Sequence, residues 1–339
     1  MAGPNLETYF KNIIVLNQAF SEEGQQFRDS HAQANVGAAD DRAVLWLGCN
    51  VLRTPHLAQL ATKVMRILNP ELSVLGGPSH CCGSPMTEKS DRERALGRSI
   101  GHFQAEQAPT LVSWCPSCHT NLRKGSDASS WGFEELHITE FIARHLHRMR
   151  LNPRLSARVM LHGHTGTADR DKDMEYCRKL LHAIPGITIV AEHSDADLGI
   201  HCVPAILAAQ IGAETFERKI QALLASVREA GAEMLVTIYH SCYREIEKRL
   251  HSDGIVIENY ITLLAKALDL EVPVNVYREI AHGGAAHIVE LACEVESRGV
   301  DRGELERAVM SEFPSASSKA HSPSVSSKAQ RRNSGGSRI

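Results

Sequence analysis

Aromatic side chains are scarce in this chain of 339 residues. Phe, Trp and Tyr together make up 5%, too few for the stacking platforms that hold single-stranded nucleic acid. An excess of one charge is also missing. The 37 Lys and Arg against 40 Asp and Glu leave a net charge of −3, so no global field recruits a phosphate backbone and no nucleic-acid partner is expected. Long apolar runs are absent too: stretches such as 43–47 and 203–209 fall far short of the ~18 residues of a membrane span. The N-terminus shows no basic segment followed by an apolar run, so no secretory signal is read, and a cytoplasmic location is expected. What is present is ordinary globular composition, 43% hydrophobic and 23% charged. At ~150 residues per domain, the length favours two domains.

In a reducing compartment, cysteines serve more often as metal ligands or catalytic thiols than as disulfides. Nine are present, at 49, 81, 82, 115, 118, 177, 202, 242 and 293, and five of them fall between 49 and 118.

Residues 5–27 read as an amphipathic helix with Tyr9, Ile13, Leu16 and Phe20 on one face. Packing on the protein's own core is the plain expectation, and docking to a partner subunit the other. Residues 28–41 are polar and read as linker. From Arg42 onward short apolar runs alternate with helical stretches. Strands are expected at 43–47, 72–75 and 110–114, and helices at 56–68, 89–107, after Cys118 and at 138–149. Such alternation predicts an α/β fold with a doubly wound parallel sheet.

The pattern then repeats. VLWLGCN (44–50) aligns with VMLHGHT (159–165), placing Gly48 over Gly163 and Cys49 over His164. TLVSWCPSC (110–118) aligns with MLVTIYHSC (234–242), placing Cys115 over Tyr239 and Cys118 over Cys242. ITEFIARHL (138–146) aligns with ITLLAKALD (261–269), and His80-Cys81 with His201-Cys202. Two tandem pseudo-repeated halves are therefore expected, at 42–150 and 156–270, after an N-terminal helix and linker at 1–41. A helical segment at 271–313 and a Ser-rich basic tail at 314–339, read as disordered, complete the chain.

In the first half each cysteine group directly follows a predicted strand. Cys49 follows AVLWLG, Cys81 and Cys82 follow LSVLG and a Gly-Pro-Ser-His turn, and Cys115 and Cys118 follow TLVSW. Ligands of open parallel sheets bind beyond the carboxyl ends of the strands, so three strand ends would deliver five thiols to one place. A structural zinc takes four ligands and a cubane iron–sulfur cluster also takes four. A fifth thiol suggests a larger or distorted iron–sulfur assembly. A Cys₄ zinc site with one bystander, or chance clustering, are the plainer alternatives.

The order of a lone Cys, then Cys-Cys-Gly, then Cys-x-x-Cys resembles the cysteine-rich CCG domain. That domain occurs in the B subunit of heterodisulfide reductase, in iron–sulfur subunits of glycolate, lactate and glycerol-3-phosphate oxidoreductases, and in an archaeal-type succinate dehydrogenase subunit. The resemblance spans about 42–270. It implies that Cys49, Cys81, Cys82, Cys115 and Cys118 hold one noncubane 4Fe-4S cluster per chain, used for disulfide cleavage or formation. It further implies a heterodisulfide-reductase-like complex, of the kind found in sulfur oxidisers. The implied partners are a ferredoxin-like iron–sulfur subunit and a flavin-containing subunit, and the implied substrate is a thiol/disulfide or sulfur carrier. Two other readings stay open: an electron-transfer subunit of a 2-hydroxyacid or glycerol-3-phosphate oxidoreductase, and a zinc-binding assembly module.

The second half departs from the motif. The lone Cys is His164, the Cys-Cys-Gly is Cys202-Val203-Pro204, and the Cys-x-x-Cys is Tyr239-His240-Ser241-Cys242. A second noncubane cluster is not expected. Two cysteines and the histidines His162, His164, His201 and His240 remain at the equivalent strand ends. His164, Cys202, His240 and Cys242 form a candidate zinc set, and the alternatives are an empty pocket that merely supports the first site and a substrate-contact role for the histidines. Cys177 and Cys293 sit among apolar residues and read as core thiols. His80, just before Cys81, is a candidate for a hydrogen bond to the cluster or for a simple turn role. No dinucleotide fingerprint is present, so electrons are expected to arrive from another subunit.

Overall fold

The computed structural model describes residues 5–21, 42–125, 131–194, 211–248, 254–279 and 299–312, together with 287, 288 and 290. Eight strands form two separate four-stranded sheets. The first contains β1 (Ala43–Gly48), β2 (Ser73–Gly76), β3 (Thr110–Ser113) and β4 (Glu134–His137), in spatial order β2-β1-β3-β4. The second contains β5 (Ala157–Gly163), β6 (Ile187–Ser194), β7 (Met234–Thr237) and β8 (Val256–Asn259), in order β6-β5-β7-β8. Every pairing is parallel. The same strand order in both sheets is what a duplicated unit requires, and the α/β architecture of two repeated halves agrees with the sequence reading.

Strand composition explains the layering. All six residues of β1, AVLWLG, are buried, as expected of a central parallel strand covered on both faces. The flanking helices include α1 (Leu6–Phe20), α2 (Pro55–Leu68), α3 (Lys89–Ala105), α4 (Pro116–Gly125), α5 (Ile138–Arg144) and α6 (Ala168–Ala183). They continue with α7 (Ala213–Glu229), α8 (His240–Glu247), α9 (Tyr260–Ala267) and α10 (Arg302–Glu312). One hydrophobic core runs through both halves, and a smaller one lies where Val15 and Leu16 of α1 meet Leu305 and Val309 of α10. Helix α1 thus buries its apolar face within this chain.

The structure differs from the sequence reading in three places. The helix expected after Cys118 begins at Pro116, so Cys118 lies inside its first turn. Pro is favoured there because its missing N–H would be unpaired in any case. The helix expected at 138–149 ends at Arg144 and gives way to a 3-10 turn at Leu146–Arg148. Strands β4 (EELH) and β8 (VIEN) carry too few apolar residues to announce themselves. Both are followed directly by the paired helices α5 and α9, whose first amides are capped by His137 and Asn259 side chains. Cys293, the 28–41 linker and the 314–339 tail lie outside the described residues.

Candidate metal centre

Three strand ends of the first sheet converge on five thiols. Cys49 follows β1 directly, Cys81 and Cys82 follow β2 and the 3-10 turn Pro78–His80, Cys115 follows β3, and Cys118 enters from α4. All five are buried, none more than 4% exposed. The Cys49 and Cys81 sulfurs are 3.4 Å apart. The Gly83 amide donates to the Cys81 sulfur at 3.4 Å, and Asn121 Nδ2 reaches the Cys82 sulfur at 3.6 Å.

Two glycines make this convergence possible. Gly48 has φ +60°, and a Cβ there would sit 2.9 Å from the Cys118 sulfur. Gly83 has φ +83°, and its Cβ would strike the Arg92 backbone at 2.6 Å. An L side chain at either position would be both strained and crowded.

The thiols polarise one another. Cys81 is lowered to about 4, chiefly by the hydrogen bond it accepts from Cys49 and then by one from Cys82. Cys115 is lowered well below an ordinary thiol, first by the bond from Cys118. Cys49 and Cys118 rise because they are the donors in these bonds and are buried. Cys82 accepts from Cys118, which lowers it, but its donation to Cys81 and its burial win and raise it. A soft metal bound by thiols displaces their protons, and lowered thiols such as Cys81 and Cys115 lose theirs most readily.

A cluster of ion pairs lies on the Cys49 side of the site. Arg53, on the 3-10 turn that follows Cys49, ion-pairs with Glu312 of α10. Arg244 of α8 donates to Asn50 at 2.6 Å and to Glu245 at 2.9 Å, and Lys248 lies 2.6 Å from Glu312. Three cations thus meet two buried carboxylates beside the thiols. Tyr9 of α1 covers the same side: burial, and next the Cys49 thiol, raise its phenol well above its ordinary value. A cavity of about 270 Å³ bordered by Tyr9, Arg53 and Glu312 lies between α1 and α10. The larger cavity, of about 540 Å³, borders Ala43, Thr110 and Glu134 at the amino ends of the strands, away from the thiols.

His80 is buried, and its Nδ1 lies 2.9 Å from the Gly76 carbonyl. The His80 carbonyl accepts from Trp46 Nε1 at 2.7 Å. These bonds fix the turn that presents Cys81.

At the equivalent strand ends of the second half the chemistry changes. His162, His164 and Cys242 bring ligand atoms within 4.8 Å of one another, and all three are buried. His164 Nε2 is 3.0 Å from the Cys242 sulfur, and His162 Nδ1 is 3.3 Å from His193 Nδ1. Burial first, and then His162, lower His164 well below the ordinary imidazole value, which keeps it neutral. Cys242 is disulfide-bonded in this structure. Tyr239, in the place of Cys115, stacks on His164 with ring centroids 5.2 Å apart and donates to Asp173 at 2.6 Å. Gly163, in the place of Gly48, faces Met174 and Ile238, whose atoms would lie 2.4 and 2.9 Å from an added Cβ.

Of the four residues expected to hold zinc, the structure therefore brings together His164 and Cys242. Cys202 lies outside the described residues. His240 does not join the metal-capable group. It is fully buried and faces Cys115 of the first half. His162, which the candidate zinc set omits, takes its place. The signal for it is the His-Gly-His spacing of 162–164, since alternate strand residues share a face. Cys177 is wholly buried in α6, and burial raises its thiol, as fits a core residue.

Residues 43–123 match the cysteine-rich domain named CCG. A curated relative is the B subunit of fumarate reductase (CoM/CoB) from Methanothermobacter marburgensis, 25% identical over 269 residues. The match covers 76% of this chain and 52% of that protein, so the chain spans about half the length of the curated relative. Among solved structures, an aspartate racemase homologue from Pyrococcus horikoshii is similar at 10% identity and a TM-score of 0.30, covering 68% of this chain and 97% of that one. An allantoin racemase from Pseudomonas fluorescens follows at 14% identity and a TM-score of 0.27, covering 70% and 95%. Similarities of that size bear neither on the CCG domain nor on its chemistry. No described helix is long and apolar enough to cross a membrane.

Proposed function

We propose that this chain is an iron–sulfur subunit of an oxidoreductase complex, and that its five CCG-domain cysteines hold one noncubane 4Fe-4S cluster serving thiol/disulfide or sulfane-sulfur chemistry. The observation that carries the reading is the convergence of Cys49, Cys81, Cys82, Cys115 and Cys118 from three strand ends, one thiol more than zinc or a cubane uses. The donor set fits such a group: soft sulfurs, two of them already pushed toward thiolate, with Arg98 close enough to lower the Cys81 thiol further. When bound, the cluster supplies one-electron steps that sum to the two electrons of a disulfide bond.

The chain's own residues shape that chemistry. Their burial excludes water, Gly48 and Gly83 allow close backbone approach, and Arg53, Arg244 and Lys248 pair with Glu245 and Glu312 beside the site. The curated relative is by name one component of a larger reductase, which favours partner subunits. A ferredoxin-like iron–sulfur subunit and a flavin-containing subunit are the proposed electron route, in the cytoplasm. His80 positions the Cys81 turn in this reading.

In the second half, His162, His164 and Cys242 are proposed as three ligands of a zinc ion once the Cys242 disulfide is reduced, as a reducing compartment favours. The reading of a plain electron-transfer subunit differs in having no substrate at its own cluster. Iron, sulfide and zinc content of anaerobically purified protein, with its EPR spectrum, tests the assignment. Iron-free, colourless protein would reject it.

A further inference from the structure

The degenerate half sends a residue into the site of the intact half. His240 begins α8, just after β7, where the first half has Pro116. In its own half it would be grouped with Tyr239 and Cys242. Instead its ring lies edge-on to Trp114 with centroids 5.9 Å apart, and the sulfur it approaches is that of Cys115. Neither ring nitrogen has a well-aligned hydrogen bond, although both are completely buried. A buried imidazole with no aligned hydrogen bond is costly, so its place beside Trp114 and Cys115 calls for an explanation.

The surroundings hold it in this direction. Trp114 Nε1 donates across the halves to the Ile238 carbonyl at 3.4 Å. Asn259 Nδ2 donates to the same carbonyl at 3.2 Å. One turn further along α8, Arg244 reaches Asn50, the neighbour of Cys49. Helix α8 therefore meets the strand ends of the first half with two of its side chains.

We infer that His240 is a positioning residue of the first half's metal centre, donating its ring N–H to the Cys115 sulfur and thereby setting the reduction potential of the cluster bound there. Hydrogen bonds to ligand sulfurs withdraw electron density from them and make the cluster easier to reduce. This rests on the iron–sulfur reading above. It assigns the second half a role in the chemistry of the first, independent of any metal of its own.

The test uses the full chain, loaded anaerobically, with His240→Leu and His240→Asn. His240→Leu removes the donor at similar bulk, and His240→Asn retains an N–H. The readouts are iron per chain, midpoint potential by EPR-monitored titration, and nitrogen hyperfine coupling in protein labelled with ¹⁵N-histidine. The expected result is full iron in both variants, a lower midpoint in His240→Leu, a midpoint restored toward the parent in His240→Asn, and a histidine coupling present only in the parent. An unchanged midpoint in His240→Leu, or no histidine coupling in the parent, overturns the inference. If His240→Leu fails to fold, loss of the histidine coupling in His240→Asn still decides it, and a coupling that persists there overturns the inference. A parent chain that binds no iron defeats the iron–sulfur reading itself, which is a different outcome from a loaded cluster indifferent to His240.

Discussion

The two halves share one topology and differ at three of the five positions that carry thiols in the first. Strand order, parallel pairing and the helices that follow each strand correspond. Yet the place of Cys49 is taken by His164, that of Cys115 by Tyr239, and the space that the Cys118 sulfur fills beside Gly48 is filled beside Gly163 by Met174 and Ile238. The fold depends on buried strands and helix faces, and these tolerate any residue at the strand ends. The strand ends decide whether a pocket holds sulfur or is packed with a phenol ring. Tyr239, stacked on His164 and bonded to Asp173, occupies room that the first half leaves to thiols.

The largest effect expected from breaking this comparison is at the thiols. Single Cys→Ser changes at 49, 81, 82, 115 and 118 should each lose or visibly alter the cluster, read as iron content and EPR. Cys177→Ser, a buried thiol of the other half, should leave both unchanged. One variant of the five that keeps full iron and an unaltered signal would mean a four-ligand centre.

Next comes the ionic support beside the site. Glu312 is held well below the ordinary carboxylate range; burial opposes this, but Arg53 first, and then Lys248 and Arg244, outweigh it. Glu312→Gln leaves buried cations uncompensated and should cost about 3–5 kcal/mol in chemical denaturation.

A third effect compares the two equivalent glycines. Gly48→Ala places a Cβ in the left-handed region and against the Cys118 sulfur, so it should cost about 1–2 kcal/mol and also disturb the cluster spectrum. Gly163→Ala meets the flexible end of Met174 and should affect stability alone.

The smallest effects are in pH and in the second half. Burial lowers His56 to about 3, from an ordinary 6.5. The unfolded chain therefore binds a proton that the folded chain refuses, and stability should be complete above about 6.5 and fall as pH drops toward about 3. Glu312, also depressed, adds loss of the same sign below the ordinary carboxylate range. Urea unfolding at several pH values checks this, and His56→Leu should flatten the upper part of the decline. His162→Ala and Cys242→Ala should each lower zinc content without changing iron. Equal zinc in both variants and parent would remove the proposed zinc site.

Much of the fold was legible because each central strand is an apolar run ended by glycine or cysteine, as in AVLWLGC and ARVMLHGH, and because the same order occurs twice. Strands β4 and β8 were not, since EELH and VIEN take their strand character from their neighbours in the sheet. The five thiols were legible from their position just after strands. The direction of His240 was not. A repeat alignment assigns each residue to its own half, whereas the side chain crosses to Cys115 because Trp114 and Ile238 dock the two strand ends together. His162 was left out of the zinc set for a simpler reason: that set was gathered by analogy with the lost cysteines, whereas the pairing of His162 with His164 follows from strand alternation.

The central claim is that one half holds a cluster and the other does not. Iron and acid-labile sulfide per chain, measured on anaerobically reconstituted protein, test it most directly. Because only the first half keeps five thiols, the account predicts about four of each, following the 4Fe-4S composition that the CCG resemblance implies. Twice that amount of each would place a second cluster in the half filled by Tyr239 and contradict the account.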